Sequence, residues 1–246
     1  MFTLMKLSFK AFNVWDSFFA YCTSKFIIPI INIIIFYSIG VLTNNNSSSF
    51  ALRSVLIIML NTIITDSIIF IQSEKRFNTL TPILITPINN IKLYFSRVVI
   101  NYFHGLILTV VYFIIVSMVF SITLSYSELF YSIMHILGLS IPILVLSIFV
   151  GFIAILVEEV TVLTILLYNG LLITSGLFHN INILYLQWLT PIKEYTKRID
   201  SIIAGNPVVF SDYLVYFVYS AIYLAILFLF VGKIEKLIYK QGAKEV

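Results

Sequence analysis

Two groups of residues in this 246-residue chain combine types and spacings that could do chemistry. The first is Asn61, Thr62, Thr65 and Asp66, set inside an otherwise apolar run. Asn61 with Thr65, and Thr62 with Asp66, stand four residues apart and share one face of a helix. A carboxylate in the middle of lipid costs about 2.5–3.5 kcal/mol on insertion scales, so Asp66 must face protein or water. Two chemistries fit this stripe. One is hydrogen bonding between helices, worth about 0.6–2 kcal/mol per contact. The other is a polar wall along a transport path, with Asp66 as the group that answers to a cation. The second group is Thr161, Thr164, Tyr168, Asn169, Thr174 and Ser175, which supply polar atoms to a later apolar run.

Other chemistries find no residues to carry them. Cys22 is the only cysteine, and His104, His135 and His179 lie far apart and match no metal-ligand spacing. His104 and His135 read as histidines satisfied within or beside the membrane, with a proton relay as the alternative. The adjacent Glu158 and Glu159 point apart on a helix or tight turn, so they read as a solvated turn. No His-Glu-x-x-His, Gly-x-Ser-x-Gly or paired catalytic carboxylates occur. The only Gly-Lys step, Gly232-Lys233, lacks the upstream glycine of a phosphate-binding loop. The expectation is a chain without enzymatic activity of its own, binding no metal, cofactor or nucleic acid.

The elements that must hold these residues follow from composition. Hydrophobic residues make up 60% of the chain and charged ones 11%, against about 45–50% and 25% in soluble domains. Lipid must be the solvent for much of the surface. A bilayer core takes about 20 helical residues to cross, and six apolar runs of roughly that length appear: Phe26–Leu42, Phe50–Ile71, Val98–Ser121, Ile133–Val157, Val160–Phe178 and Tyr213–Val231. The expected fold is an all-α polytopic membrane protein forming a single domain over 1–246: an interfacial helix over 1–25, six spans over 26–231, and a cytoplasmic tail over 232–246. Phe2, Met5, Phe9, Phe12 and Phe19 recur at helical spacing opposite Lys6, Lys10, Asn13 and Ser17, as in a helix lying in the membrane plane. Pro29 fits a bend from that helix into the first span. Ile181–Leu189 is apolar but too short to cross, which predicts a re-entrant or interfacial segment before the last span. With both termini cytoplasmic, eleven of the fifteen basic residues lie inside and only Arg53, Lys193, Lys197 and Arg198 lie outside, as the positive-inside rule requires.

One polar segment stands out, between the second and third runs: Glu74-Lys75-Arg76-Phe77-Asn78-Thr79-Leu80-Thr81-Pro82-Ile83-Leu84-Ile85-Thr86-Pro87. Its charges and two Thr-Pro steps predict a short amphipathic helix outside the bilayer, tied to two spans. This segment resembles the permease subunits of ABC-2-type ATP-binding-cassette exporters, whose second span leads into a pattern close to Glu-Arg-Glu-x-Gly-Thr-Leu-Glu-x-Leu-x-x-Thr-Pro. Glu74, Thr79, Leu80, Leu84, Thr86 and Pro87 match it, with Arg76 near its basic position, and together with Lys75 they are the expected ATPase-coupling residues. Asn78 replaces the glycine, Thr81 the second glutamate, and Pro82 is added. A second likeness lies in Ser175-Gly176-Leu177-Phe178, followed by Trp188-Leu189-Thr190-Pro191-Ile192 and Tyr195, although the family often has proline where His179 stands.

The resemblance implies a cytoplasmic ATPase subunit in two copies, docked on this coupling helix and holding the ATP and Mg, together with a second permease, identical or homologous. It also sets the fifth span beside the transport path, which would draw Tyr168, Asn169, Ser175 and Gly176 to the same path as Asn61, Thr65 and Asp66. The Phe- and Ile-rich spans and the small size tilt the expected cargo towards an amphipathic peptide, of toxin or antimicrobial type, or a hydrophobic drug. A lipid or lipid-linked polysaccharide is the alternative within the family, and an ion-coupled secondary transporter using Asp66 the alternative outside it. The Ile, Asn and Lys bias fits an AT-rich bacterial genome and hence a bacterial plasma membrane.

Overall fold

The computed structural model describes residues 18–42, 47–69, 90–157, 160–174, 190–206, 209 and 211–242. Among them every regular element is a helix: α1 (Phe18–Cys22), a π-helical turn (Thr23–Ile27), α2 (Ile28–Leu42), α3 (Ser47–Leu60), a second π-helical turn (Asn61–Thr65), α4 (Asn90–Val119), α5 (Tyr126–Leu156), α6 (Val160–Thr174), α7 (Ile192–Ile203) and α8 (Ser211–Gly242). Among the described residues, five stretches are long and apolar enough to cross a membrane: Thr23–Leu42, Ser49–Ile69, Val98–Val119, Tyr126–Leu156 and Ser211–Phe230. This makes the chain a helical membrane protein. The fifth expected run is represented by α6, whose apolar stretch Thr161–Leu171 is shorter than a span. Its expected continuation to Phe178, the interfacial helix over residues 1–17 and the apolar segment Ile181–Leu189 lie outside the described residues.

Local chemistry explains where the helices begin and how they are wound. Pro29 has no N–H to give the Lys25 carbonyl, and the chain upstream widens into the π turn, closed by the Ile28 N–H on the Thr23 carbonyl. The Tyr112 hydroxyl donates to the Lys25 carbonyl instead. The bend expected at Pro29 is thus a change of winding within one helical run over 18–42. The fourth span starts at Tyr126, seven residues before the expected Ile133. The cause is a capping box: the Ser125 hydroxyl accepts from the Glu128 N–H, and the Glu128 carboxylate accepts from the Ser125 N–H at 2.6 Å. At the other end of the chain, α8 runs on past Val231 to Gly242, so Lys233, Lys236 and Lys240 of the expected tail are helical.

Contacts fix the directions of the helices. Gly40 meets Phe50 and Lys25 meets Asp66, so the first two spans are antiparallel. Gly105 packs on Thr62 and Ile63, and Asn101 on Ser67, so α4 is antiparallel to α3. By contrast, α5 and α8 run parallel: His135 pairs with Tyr216, and Phe149 meets Phe230 further down. The second span is the centre of the bundle, with 75% of its residues buried against 22% in the first and 17% in the last. The outward faces of α2 and α8 carry exposed Ile31, Ile34, Ile35, Phe217, Phe228 and Leu229. A lipid-facing surface needs this composition.

Candidate functional site

Asp66 sits one residue past the second π turn, near the end of the central span that leads into residues 70–89. Its carboxylate accepts a hydrogen bond from the Lys25 ammonium, and the two side chains are 12% and 7% exposed. Each charge would be costly alone in an apolar bundle, so each explains the other's position. The sequence required Asp66 to face protein or water, and it faces Lys25. Around this pair, the Tyr21 hydroxyl lies 2.8 Å from His104 Nε2, and Tyr112 binds the Lys25 carbonyl. Tyr21, outside the spans, ionises above its ordinary range, first because it is buried and then because the Asp66 charge is close.

Lys25 also borders a narrow cleft of about 20 Å³ between the first two spans, lined by Ser24, Pro29, Asn32, Ile33, Ser54, Ile58 and Thr62. That is room for a water molecule. The Ser24, Ser54 and Thr62 hydroxyls donate to the Tyr21, Ala51 and Ile58 carbonyls of their own helices, at 3.1, 2.6 and 2.7 Å. What they offer the cleft is therefore acceptor lone pairs. This end of the bundle can hold a charge pair and, beside it, one water-sized polar molecule.

The expected path residues are brought together in part. Asn61 and Thr65 lie in the second π turn, against which α6, the helix carrying Tyr168 and Asn169, packs. Thr65 is half-buried, and Asn169 is exposed. Ser175 and Gly176 lie outside the described residues, as do all the expected ATPase-coupling residues, Glu74, Lys75, Arg76, Thr79, Leu80, Leu84, Thr86 and Pro87.

A second polar centre lies at the opposite end of the bundle, under α7. Ile192, Tyr195, Thr196, Ile199 and Ile202 form the buried face of this amphipathic helix, which packs on α3, α5 and α6. Its other side carries charges. Asp200 accepts from Arg53 Nε at 2.7 Å, from Arg53 Nη2 and from the Ser49 hydroxyl. Arg198 pairs with Asp212 of α8 at 2.9 Å, and Lys197 with Glu194 at 2.9 Å. Beneath them the His135 ring stacks on Tyr213 with centroids 4.4 Å apart, and its Nδ1 meets the Tyr216 hydroxyl at 3.2 Å.

In the sequence, Lys25 and Arg53 read only as orientation charges. Arg53, a lone cation inside the apolar run Phe50–Ile71, is the signal that a carboxylate should be sought. Nothing in the sequence named Asp200 as that carboxylate. Among the described residues no three His, Cys, Asp or Glu side chains gather as a metal would need. Comparison with protein-family models, characterised proteins and solved structures finds no match to this chain.

Proposed function

We propose that the chain is the membrane-spanning permease subunit of an ATP-driven exporter, moving an amphipathic peptide or a hydrophobic drug out of a bacterial cell. Hydrolysis belongs to two copies of a separate cytoplasmic ATPase, which bind ATP and Mg, and the path is completed by a second permease, identical or homologous. The observation that carries this reading is that the most buried span of the bundle continues directly into the segment resembling a coupling helix. A push on Glu74–Pro87 would reach the core of the bundle before any peripheral helix. Six crossings with both termini cytoplasmic are part of the proposal. Their support is the parallel run of α5 and α8, which obliges the chain to return between Leu156 and Ser211, where α6 lies.

The test is reconstitution of the chain with its ATPase in lipid. Leu80→Asp/Leu84→Asp should leave the chain folded, abolish co-purification of the ATPase and remove cargo-stimulated hydrolysis. Full coupling in that variant would sink the proposal. The buried Lys25–Asp66 pair favours one rival, an ion-coupled transporter in which Asp66 exchanges cations. Uptake driven by a proton or sodium gradient in vesicles holding this chain alone, without ATP, would establish the rival.

A further inference from the structure

The central span is held by an ion pair at each end, and the two pairs reach different neighbours. Towards residues 70–89, Asp66 is bound by Lys25 of the first span. Towards α7, Arg53 grips Asp200 with its planar fork while Ser49 holds the same carboxylate. Thirteen residues separate Arg53 from Asp66, about 20 Å of helix. The π turn Asn61–Thr65 interrupts the regular winding between them, close to Asp66.

That turn is built to change its winding without orphaning a carbonyl, which lipid would penalise heavily. The Ile63 carbonyl accepts from the Ser67 hydroxyl at 2.6 Å and from the Ser147 hydroxyl of α5 at 3.1 Å, while the Ile58 carbonyl accepts from Thr62. Hydroxyls substitute for backbone donors, so the end of the span can tilt while its carbonyls stay paired. The partner is built alike, since Lys25 sits in the π turn Thr23–Ile27 with its carbonyl held by Tyr112. At the other end both partners stand in regular α-helix, Arg53 in α3 and Asp200 in α7.

We infer that the second span is a hinged bar latched at one end and anchored at the other: Lys25–Asp66 opens by bending at Asn61–Thr65, while Arg53–Asp200 holds the other end fixed. The inference stands apart from the exporter reading, because its test needs neither an ATPase nor a cargo. The full chain, with Cys22→Ala, is placed in lipid nanodiscs and spin-labelled in two pairs at exposed positions. Phe19 with Ile69 reports the Lys25–Asp66 end, and Leu42, on the helix end that Gly40 packs against Phe50 of α3, reports the Arg53–Asp200 end with Lys197.

Replacing both members of a pair by neutral analogues leaves no buried charge unpaired. Lys25→Gln/Asp66→Asn should add a second, longer population to the 19–69 distance and leave 42–197 unchanged. Arg53→Gln/Asp200→Asn should lengthen only 42–197. The swap Lys25→Asp/Asp66→Lys should restore the single short 19–69 distance. An unchanged 19–69 distance in the neutral variant, or both distances moving together in either variant, would overturn the inference. So would a neutral variant that fails to fold while the swap folds, because the pair would then be a folding requirement and not a latch.

Discussion

Tyr195 shows at the residue scale what burial does to a polar atom. Its side chain is almost wholly buried on the inner face of α7, and its hydroxyl has no hydrogen-bond partner among the described residues. Desolvation therefore pushes its ionisation well above the ordinary tyrosine value near 10.0. The unfolded chain loses this proton at ordinary tyrosine pH and the folded chain does not. Folded protein thus holds more protons above about pH 10, and stability falls there as pH rises. Tyr195→Phe should lessen that slope and, by deleting a buried hydroxyl, raise stability at neutral pH by about 1 kcal/mol. Thermal unfolding at pH 7 and above pH 10 reads both effects. A large loss of stability at pH 7 would mean that the hydroxyl has a partner. The sequence could not announce any of this. Tyr195 entered as part of a motif match, whereas its burial depends on α3 and α5 lying beneath it. Asp66 was more legible, because the cost of a charge in lipid demanded a partner. Lys25 was hidden because it stands immediately before an apolar run, where a lysine normally marks only which side is inside.

At the scale of elements, existence was legible and ends were not. Apolar runs about 20 residues long announced the spans, but the start of α5 was set by the Ser125–Glu128 capping box, hidden ahead of a polar stretch. The winding of the first two spans was invisible too, because π turns arise where carbonyls are satisfied from other helices. Close helix approach gives an element-level prediction. A Cβ on Gly105 would come within 2.7 Å of both Thr62 Oγ1 and Ile63 Cγ1, whereas one on Gly170 of α6 would meet nothing within 4 Å among the described residues. Gly105→Ala should therefore push α4 from the central span and cost about 1–3 kcal/mol. Gly170→Ala should be neutral or stabilise by up to about 1 kcal/mol, since alanine favours the helix. Parallel thermal melts of the two variants in detergent check this, and equal effects would contradict the packing described.

For the whole molecule, the charge pattern that suggested an orientation gains weight from the ion pairs. Of the four basic residues assigned outside, Arg53, Lys197 and Arg198 are neutralised by Asp200, Glu194 and Asp212. The end of the bundle under α7 is therefore close to charge balance. Among the described residues the other lysines and arginines stand towards the opposite end, where Lys233 and Lys236 extend along α8 with exposed side chains. A membrane with anionic inner headgroups should hold that end inside. The same geometry makes α8 a crossing helix with its two ends on opposite faces of the membrane. In intact cells carrying the Cys22→Ala chain, Lys197→Cys should react with a membrane-impermeant thiol reagent, and Lys236→Cys should react only after the cells are opened. If both cysteines react from outside, the two ends of α8 share a face of the membrane, which the parallel run of α5 and α8 forbids. If Lys236→Cys alone reacts, the crossings are as described but the molecule is inverted. The positive-inside argument would then fail, and with it the placement of residues 74–87 where a cytoplasmic ATPase could reach them.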